Sequence, residues 1–333
     1  MNTKQIFTAI FIIILIIFSF YLNSIIWVLQ LIFSLIIYSL IFYFFHIIWS
    51  KIRKKESLKF IEFFKAFLYR ISIFLVIITA IIWSFAIYQN SYSPASMPKL
   101  TLSNWDKTII FQSMSHIATK EFYKKVTNNI KKAKEEGFVY FFEWVKPWTK
   151  ENMEDFNEAL WIKFDENLYK NFSKLYWVVH QNNDDFIWLV NNKDFNVDLN
   201  IDEIMSLYRK IETDKEKDSS APIDANKEII ETLSKLNERQ LELLVYINKS
   251  ILNFIIKSDW TRDLINNNFW NKELFKVILD KRNEKLVNEI IESTHKNIFI
   301  TYWLLHFEGV FELLKENDKN WKITKEELLY PIK

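Results

Sequence analysis

Two histidines stand just past apolar, β-rich runs, in Ile109-Ile110-Phe111-Gln112-Ser113-Met114-Ser115-His116 and in Ile298-Phe299-Ile300-Thr301-Tyr302-Trp303-Leu304-Leu305-His306. Each imidazole is predicted to project from the carboxyl end of a strand, the edge at which α/β sheets bind ligands. Glu143 takes the same place after the run Phe138-Val139-Tyr140-Phe141-Phe142. Two imidazoles and a carboxylate that converge suit a divalent metal ion with positions left open for water. Such an ion lowers the pKa of its water and polarises a carbonyl, which makes hydrolysis the natural reaction class. His116, Glu143 and His306 are therefore the candidate metal ligands. Arg282, with Asp280 and Asn283 on a late helix, supplies a guanidinium to orient Glu143 or a substrate carbonyl. Glu143 and Arg282 are the candidate catalytic residues.

Taken singly these signals are weak, because a histidine at a strand end is more often a satisfied structural residue than a ligand, and a helix arginine is usually a solvated charge. The argument rests on convergence. Of the other histidines, His180 follows Tyr176-Trp177-Val178-Val179 and reads as buried or capping, His295 closes a helix whose dipole favours a cation, and His46 reads as interfacial. Glu308 suits the first turn of the helix after His306. No serine-centred nucleophile motif, phosphate loop or dinucleotide fingerprint is present, even with every Trp read as Gly.

The elements that must position these groups follow from periodicity. Leu100 to Ser103 and Thr108 to Gln112 flank Asn104-Trp105-Asp106-Lys107 as a hairpin. Phe122, Val126, Ile130 and Ala133 recur at helical spacing, and Gly137 ends that helix before the next strand. A strand, helix, strand unit of this kind is the usual basis of parallel pairing. Short helices are expected from Asn152 to Arg209, broken by Trp188-Leu189-Val190, then a charged loop from Thr213 to Asn226. Long helices are expected over 227–257 and 272–294, a strand over 297–302 and a short helix over 311–314.

In this order the motifs resemble the TraB/GumN group, which includes the TIKI proteins. That family has a Gly-x-x-His after its first strand pair, a strand-end Glu, an Arg on a late helix and a second Gly-x-x-His. Here these correspond to Ser113-Met114-Ser115-His116, Glu143, Asp280-Lys281-Arg282-Asn283-Glu284 and Trp303-Leu304-Leu305-His306, with Gly309 three residues on. The resemblance spans roughly residues 99 to 317. It implies a mixed, helix-rich α/β domain of TraB/TIKI type with metal-dependent hydrolase activity, peptidase-like in some members. Ser113 departs from the family's first glycine, and Trp303 from its second.

Ahead of this domain the chain is of another kind. Residues 1 to 90 carry eight Lys or Arg (Lys4, Lys51, Arg53, Lys54, Lys55, Lys59, Lys65, Arg70) against Glu56 and Glu62, a net +6. The whole chain is +2, which leaves −4 for residues 91 to 333. The positive charge lies beside apolar segments rather than on a polar face, which argues against a nucleic-acid partner. Runs over 5–22, 25–49 and 71–89 are long enough to cross a hydrocarbon core about 30 Å thick. The first is too long for a cleaved signal and lacks a small-residue cleavage site. Lys51-Ile52-Arg53-Lys54-Lys55 belongs in the cytoplasm by the positive-inside rule, so three crossings put residue 90 onward outside the cell membrane. Residues 91–98 read as a linker and 99–333 as the domain. The absence of cysteine excludes disulfides and thiol catalysis.

Glycine and tryptophan counts look exchanged. At roughly 7% glycine a chain of this length carries about 23; this one has 2, against 13 Trp. Asn104-Trp105-Asp106, Ser258-Asp259-Trp260-Thr261 and Lys319-Asn320-Trp321-Lys322 read as turns in which indole fills the position that favours φ > 0. Trp144, after Glu143, stands where the family often has Gly. The expectation is a gene from a lineage that reads UGA as glycine, written here with UGA as tryptophan.

The expectation is a membrane-tethered, metal-dependent hydrolase, with lipid and a peptide or protein substrate as its partners and its oligomeric state left open. The alternative is a non-catalytic membrane protein that binds or sequesters a peptide signal in the same cleft.

Overall fold

The computed structural model describes residues 2–22, 25–144, 148–164, 167–211, 222–258, 260 and 271–333. Its contacts divide it into two units, Met1–Tyr88 with Ser234–Leu244, and Gln89–Leu233 with Val245–Lys333.

The first unit contains the helices Thr3–Leu22, Ile25–Ile52 and Phe60–Ile87. Among the described residues three spans, Thr3–Leu22, Val28–Ile52 and Phe60–Tyr92, are long and apolar enough to cross a membrane, and they mark a membrane protein. Large apolar side chains such as Ile13, Ile14, Ile17 and Phe20 are exposed, as a lipid solvent allows. The third helix starts at Phe60 rather than Ile71, because Glu62, Lys65 and Arg70 interrupt the apolar run but are good helix formers. His46 accepts the Leu58 amide N–H at 3.3 Å and stacks on Phe63.

The second unit is a mixed, helix-rich α/β domain around a six-stranded sheet. Its strands are β1 (Met97–Ser103), β2 (Thr108–Met114), β4 (Val139–Phe142), β6 (Phe195–Asn196), β7 (Asn297–Trp303) and β8 (Lys322–Leu329), in the order β6-β4-β7-β2-β1-β8. Strands β6, β4, β7 and β2 are parallel; β1 is antiparallel to both β2 and β8. The expected hairpin is present, but β1 begins two residues before Lys99, since Met97 and Pro98 pair with Leu329 and Leu328. Two short strands, β3 (Ile117–Ala118) and β5 (Val179–His180), form a separate ladder.

Alternation along the strands builds two apolar layers. Phe111, Phe141, Ile298, Ile300 and Tyr302 face Leu286, Val287 and Ile290 of the helix Lys272–Glu292 and Val310 and Leu314 of the helix Phe307–Asn317. Tyr140, Phe142 and Phe299 face Phe122, Val126, Ile130 and Ala133 of the helix Lys120–Glu135. That last helix starts at Thr119, whose side chain accepts the Phe122 N–H, and ends at Gly137 with φ 87°.

Two helix expectations change, and one loop expectation is left untested. The helix expected over 227–257 is two, Ala225–Ser234 and Glu238–Lys257. They part at Asn237, whose side chain accepts the Gln240 N–H while Gln240 accepts the Asn237 N–H, a reciprocal cap that begins a new helix. The helix after His306 runs Phe307–Asn317 rather than 311–314. The loop Thr213–Asn226 lies mostly outside the described residues.

Candidate functional site

Parallel register brings three strand ends to one edge. Met114 of β2 lies beside Trp303 of β7, and Phe142 of β4 beside Thr301 of β7. The residues just beyond, His116, Glu143 and the turn Leu304–His306, therefore share the carboxyl edge of the sheet. Behind it runs the helix Lys272–Glu292, begun by Asn271, whose side chain accepts the Leu274 N–H, and carrying Arg282 and Asn283 on its buried face.

Arg282 is the centre of the charge. Its Nε donates to Asp198 Oδ1 at 2.6 Å and its Nη2 to Glu143 Oε1 at 2.5 Å. All three side chains are largely buried, at 8%, 0% and 13% exposure. Buried charge survives only when paired, and here two carboxylates share the one guanidinium. Burial works against the Arg282 charge, but Glu143 and Asp198 outweigh it and hold the guanidinium ionised well beyond its ordinary range. Burial also pushes the Asp198 carboxyl up, against the pull of Arg282. The other oxygen of Glu143 accepts the Trp303 backbone N–H at 2.7 Å. Tyr302 lies under the guanidinium, 5.5 Å from ring centre to carbon.

Both imidazoles are neutral. Burial first, then Arg282, pulls His116 down to about 4 despite Asp198; burial, Arg282 and His116 hold His306 well below its usual value. His306 Nδ1 lies 2.8 Å from Asn283 Oδ1. An amide oxygen only accepts, so Nδ1 carries the proton and Nε2 presents a lone pair. That Nε2 and Asp198 Oδ2 are buried without a hydrogen-bond partner among the described residues. Gly309 leaves room for the Asn283 amide, which any Cβ there would strike. His116 stacks on Tyr169 at 4.4 Å, and the Tyr123 hydroxyl donates to the Ser115 carbonyl, fixing the turn before it. Burial raises the Tyr169 phenol, so it stays protonated.

The four residues singled out from sequence thus gather at one edge, linked through Arg282, Trp303 and Asn283. His180 instead pairs across from Ile117 in the small ladder, and His295 follows the end of the helix Lys272–Glu292. Glu308 does lie in the first turn of its helix. Sequence reasoning missed Asp198, Tyr169 and the tie between Asn283 and His306. Asp198 follows a strand of two residues, too short to show a period; Tyr169 lies on a short helix with no motif around it.

The metal expectation fares differently. Among the described residues no three His, Asp or Glu side chains are grouped so as to hold an ion. Glu143 commits both oxygens to Arg282 and the Trp303 amide. The Trp303 indole meanwhile lies against both imidazoles, 5.6 Å from His116 and 6.1 Å from His306. As arranged, Glu143 is held by Arg282 and the Trp303 amide rather than grouped with His116 and His306.

No protein-family model, curated protein or solved structure matches this chain.

Proposed function

We propose that this chain is a membrane-anchored hydrolase of TraB/GumN type that cleaves peptide or protein segments, with its domain outside the cytoplasmic membrane. The observation that carries the reading is the buried Arg282–Glu143–Asp198 set, which adjoins two neutral imidazoles at the carboxyl edge of the parallel strands. Buried charge and displaced pKa values of this kind concentrate at reactive sites. In this reading His306 Nε2 takes a proton from water as the hydroxide oxygen adds to the substrate carbonyl carbon. The bond to the leaving amine then breaks, and the same proton passes to that amine. Arg282 holds positive charge beside the developing oxyanion, and Asn283 keeps His306 in the tautomer that can accept. Dependence on a divalent ion is the finer part of the proposal: neutral imidazoles are donors of the required kind, but Glu143 would have to leave Arg282 to join them.

One observation favours the second reading, a protein that binds or sequesters a peptide signal without turnover: the Trp303 indole lies against both imidazoles. A mixed peptide pool incubated with the full chain in detergent separates the two. Cleavage that falls at least about 100-fold in His306→Ala supports the hydrolase, and its loss on chelation with recovery on adding divalent ions supports the metal. Capture without cleavage, unchanged in His306→Ala, overturns it in favour of sequestration.

A further inference from the structure

Four non-glycine residues among those described hold a left-handed φ: Lys54 at 55°, Trp105 at 80°, Trp161 at 57° and Trp177 at 45°. Three of the four are tryptophan, which supplies only 13 of 333 positions, so an even scatter of residue types does not account for them. In this region a Cβ crowds the carbonyl oxygen that follows, which is why glycine is the usual occupant.

Each of the three is a turn that the backbone specifies whatever the side chain. At the end of the helix Leu168–Lys174, the Trp177 N–H donates to the Lys174 carbonyl at 3.4 Å and the Val178 N–H to the Ser173 carbonyl at 3.2 Å. The helix Lys120–Glu135 closes with the same pair of bonds, Gly137 to Lys134 at 3.1 Å and Phe138 to Ala133 at 2.9 Å. Glycine holds the left-handed position in one closure and tryptophan in the other. Trp161 caps the helix Lys150–Leu160, its N–H on the Glu158 carbonyl at 3.1 Å. Trp105 lies in the β1–β2 turn, where the Asn104 N–H donates to the Lys107 carbonyl at 3.3 Å.

None of these indoles is buried to offset the strain: Trp105 is 80% exposed, Trp161 41% and Trp177 52%. Trp321 behaves in the opposite way. It is 3% exposed within the main core and is not among the left-handed residues, which corrects its reading as a φ > 0 turn. The similar turn around Trp260 lies across residues outside the description.

We infer that Trp105, Trp161 and Trp177 are glycine in the natural protein, encoded by UGA codons that its source reads as glycine, and that Trp321 is a true tryptophan. Applied to Trp303, the same codon reading removes the indole that lies against His116 and His306 and opens the cleft between them. At Trp303 the inference rests on the hydrolase proposal; at the three turns it does not.

Tandem mass spectrometry of the protein from its own cells reads the positions directly. Glycine mass at 105, 161 and 177 with indole mass at 321 is expected, and indole mass at the three turns overturns the inference. A second arm uses the full chain in detergent. The triple variant Trp105→Gly, Trp161→Gly, Trp177→Gly is expected to melt higher by about 2–4 °C per site, whereas Trp321→Gly melts lower. A triple variant that melts no higher overturns the backbone argument. Trp303→Gly is expected to gain peptide turnover; glycine masses at the turns with no such gain leave the codon inference standing and count against the hydrolase alone.

Discussion

At the scale of single residues, the candidate site depends on keeping imidazoles neutral beside a paired guanidinium. His116 falls from the ordinary 6.5 to about 4 when folded, so the unfolded chain takes up its proton first as the pH drops. The sign follows: the stability this residue supports is whole above pH 6.5 and is lost as the pH falls towards 4, with His306 adding to the same slope. Denaturant titration across that range should show the decline, and His116→Ala should flatten it. Gly309→Ala places a methyl group on the Asn283 amide and forces it from His306. A loss of about 1–3 kcal/mol is expected from denaturant midpoints, together with reduced peptide turnover. His116, Glu143, Arg282 and His306 were legible because each stands at a fixed offset from a strand or on a patterned helix. Asp198 was not, since its partner Arg282 is distant in the chain and no local period marks the pairing.

Among the elements, the strands that lead to the site were read better than helix boundaries. The β1–β2 hairpin, the strand before Glu143 and the strand before His306 all follow from short apolar runs bounded by polar turns. The division at Asn237 was missed because the apolar periodicity runs on through it, while the reciprocal side-chain cap acts on two amide groups only. Strand β8 was missed for a different reason: Lys322 to Glu326 is mostly polar and exposed, as an edge strand is, and carries no apolar pattern. The helix that holds Arg282 and Asn283 ends on a feature invisible to pattern. Lys107, from the hairpin turn, donates to the carbonyl groups of Ile290, Ile291 and Ser293 at 2.6, 3.0 and 2.7 Å. Lys107→Met should therefore cost about 1–2 kcal/mol by freeing the end of that helix. Amide hydrogen exchange is expected to show faster opening near Ile290 than near Leu274.

For the molecule as a whole, three apolar spans tie the chain to a bilayer. It should stay with the membrane through an alkaline wash and leave it only in detergent. If the domain faces outward, as Lys4 and the basic stretch at Lys51 imply by charge, added protease should cut the polar chain around Lys193 in intact spheroplasts. Protection there until the membrane is opened would reverse the orientation. Composition and periodicity determined by themselves that the chain has a membrane-spanning part and a separate α/β part, because burial in lipid and alternation on a sheet are written in consecutive residues. They also marked Trp105 as a turn position that asks for glycine. Only the tertiary structure decided that Glu143 and Asp198 share Arg282, that Asn283 sets the His306 tautomer, and that Trp303 stands against both histidines. Those outcomes depend on parallel register and on a helix packed behind the sheet, and such long-range contacts leave no local signature in the chain.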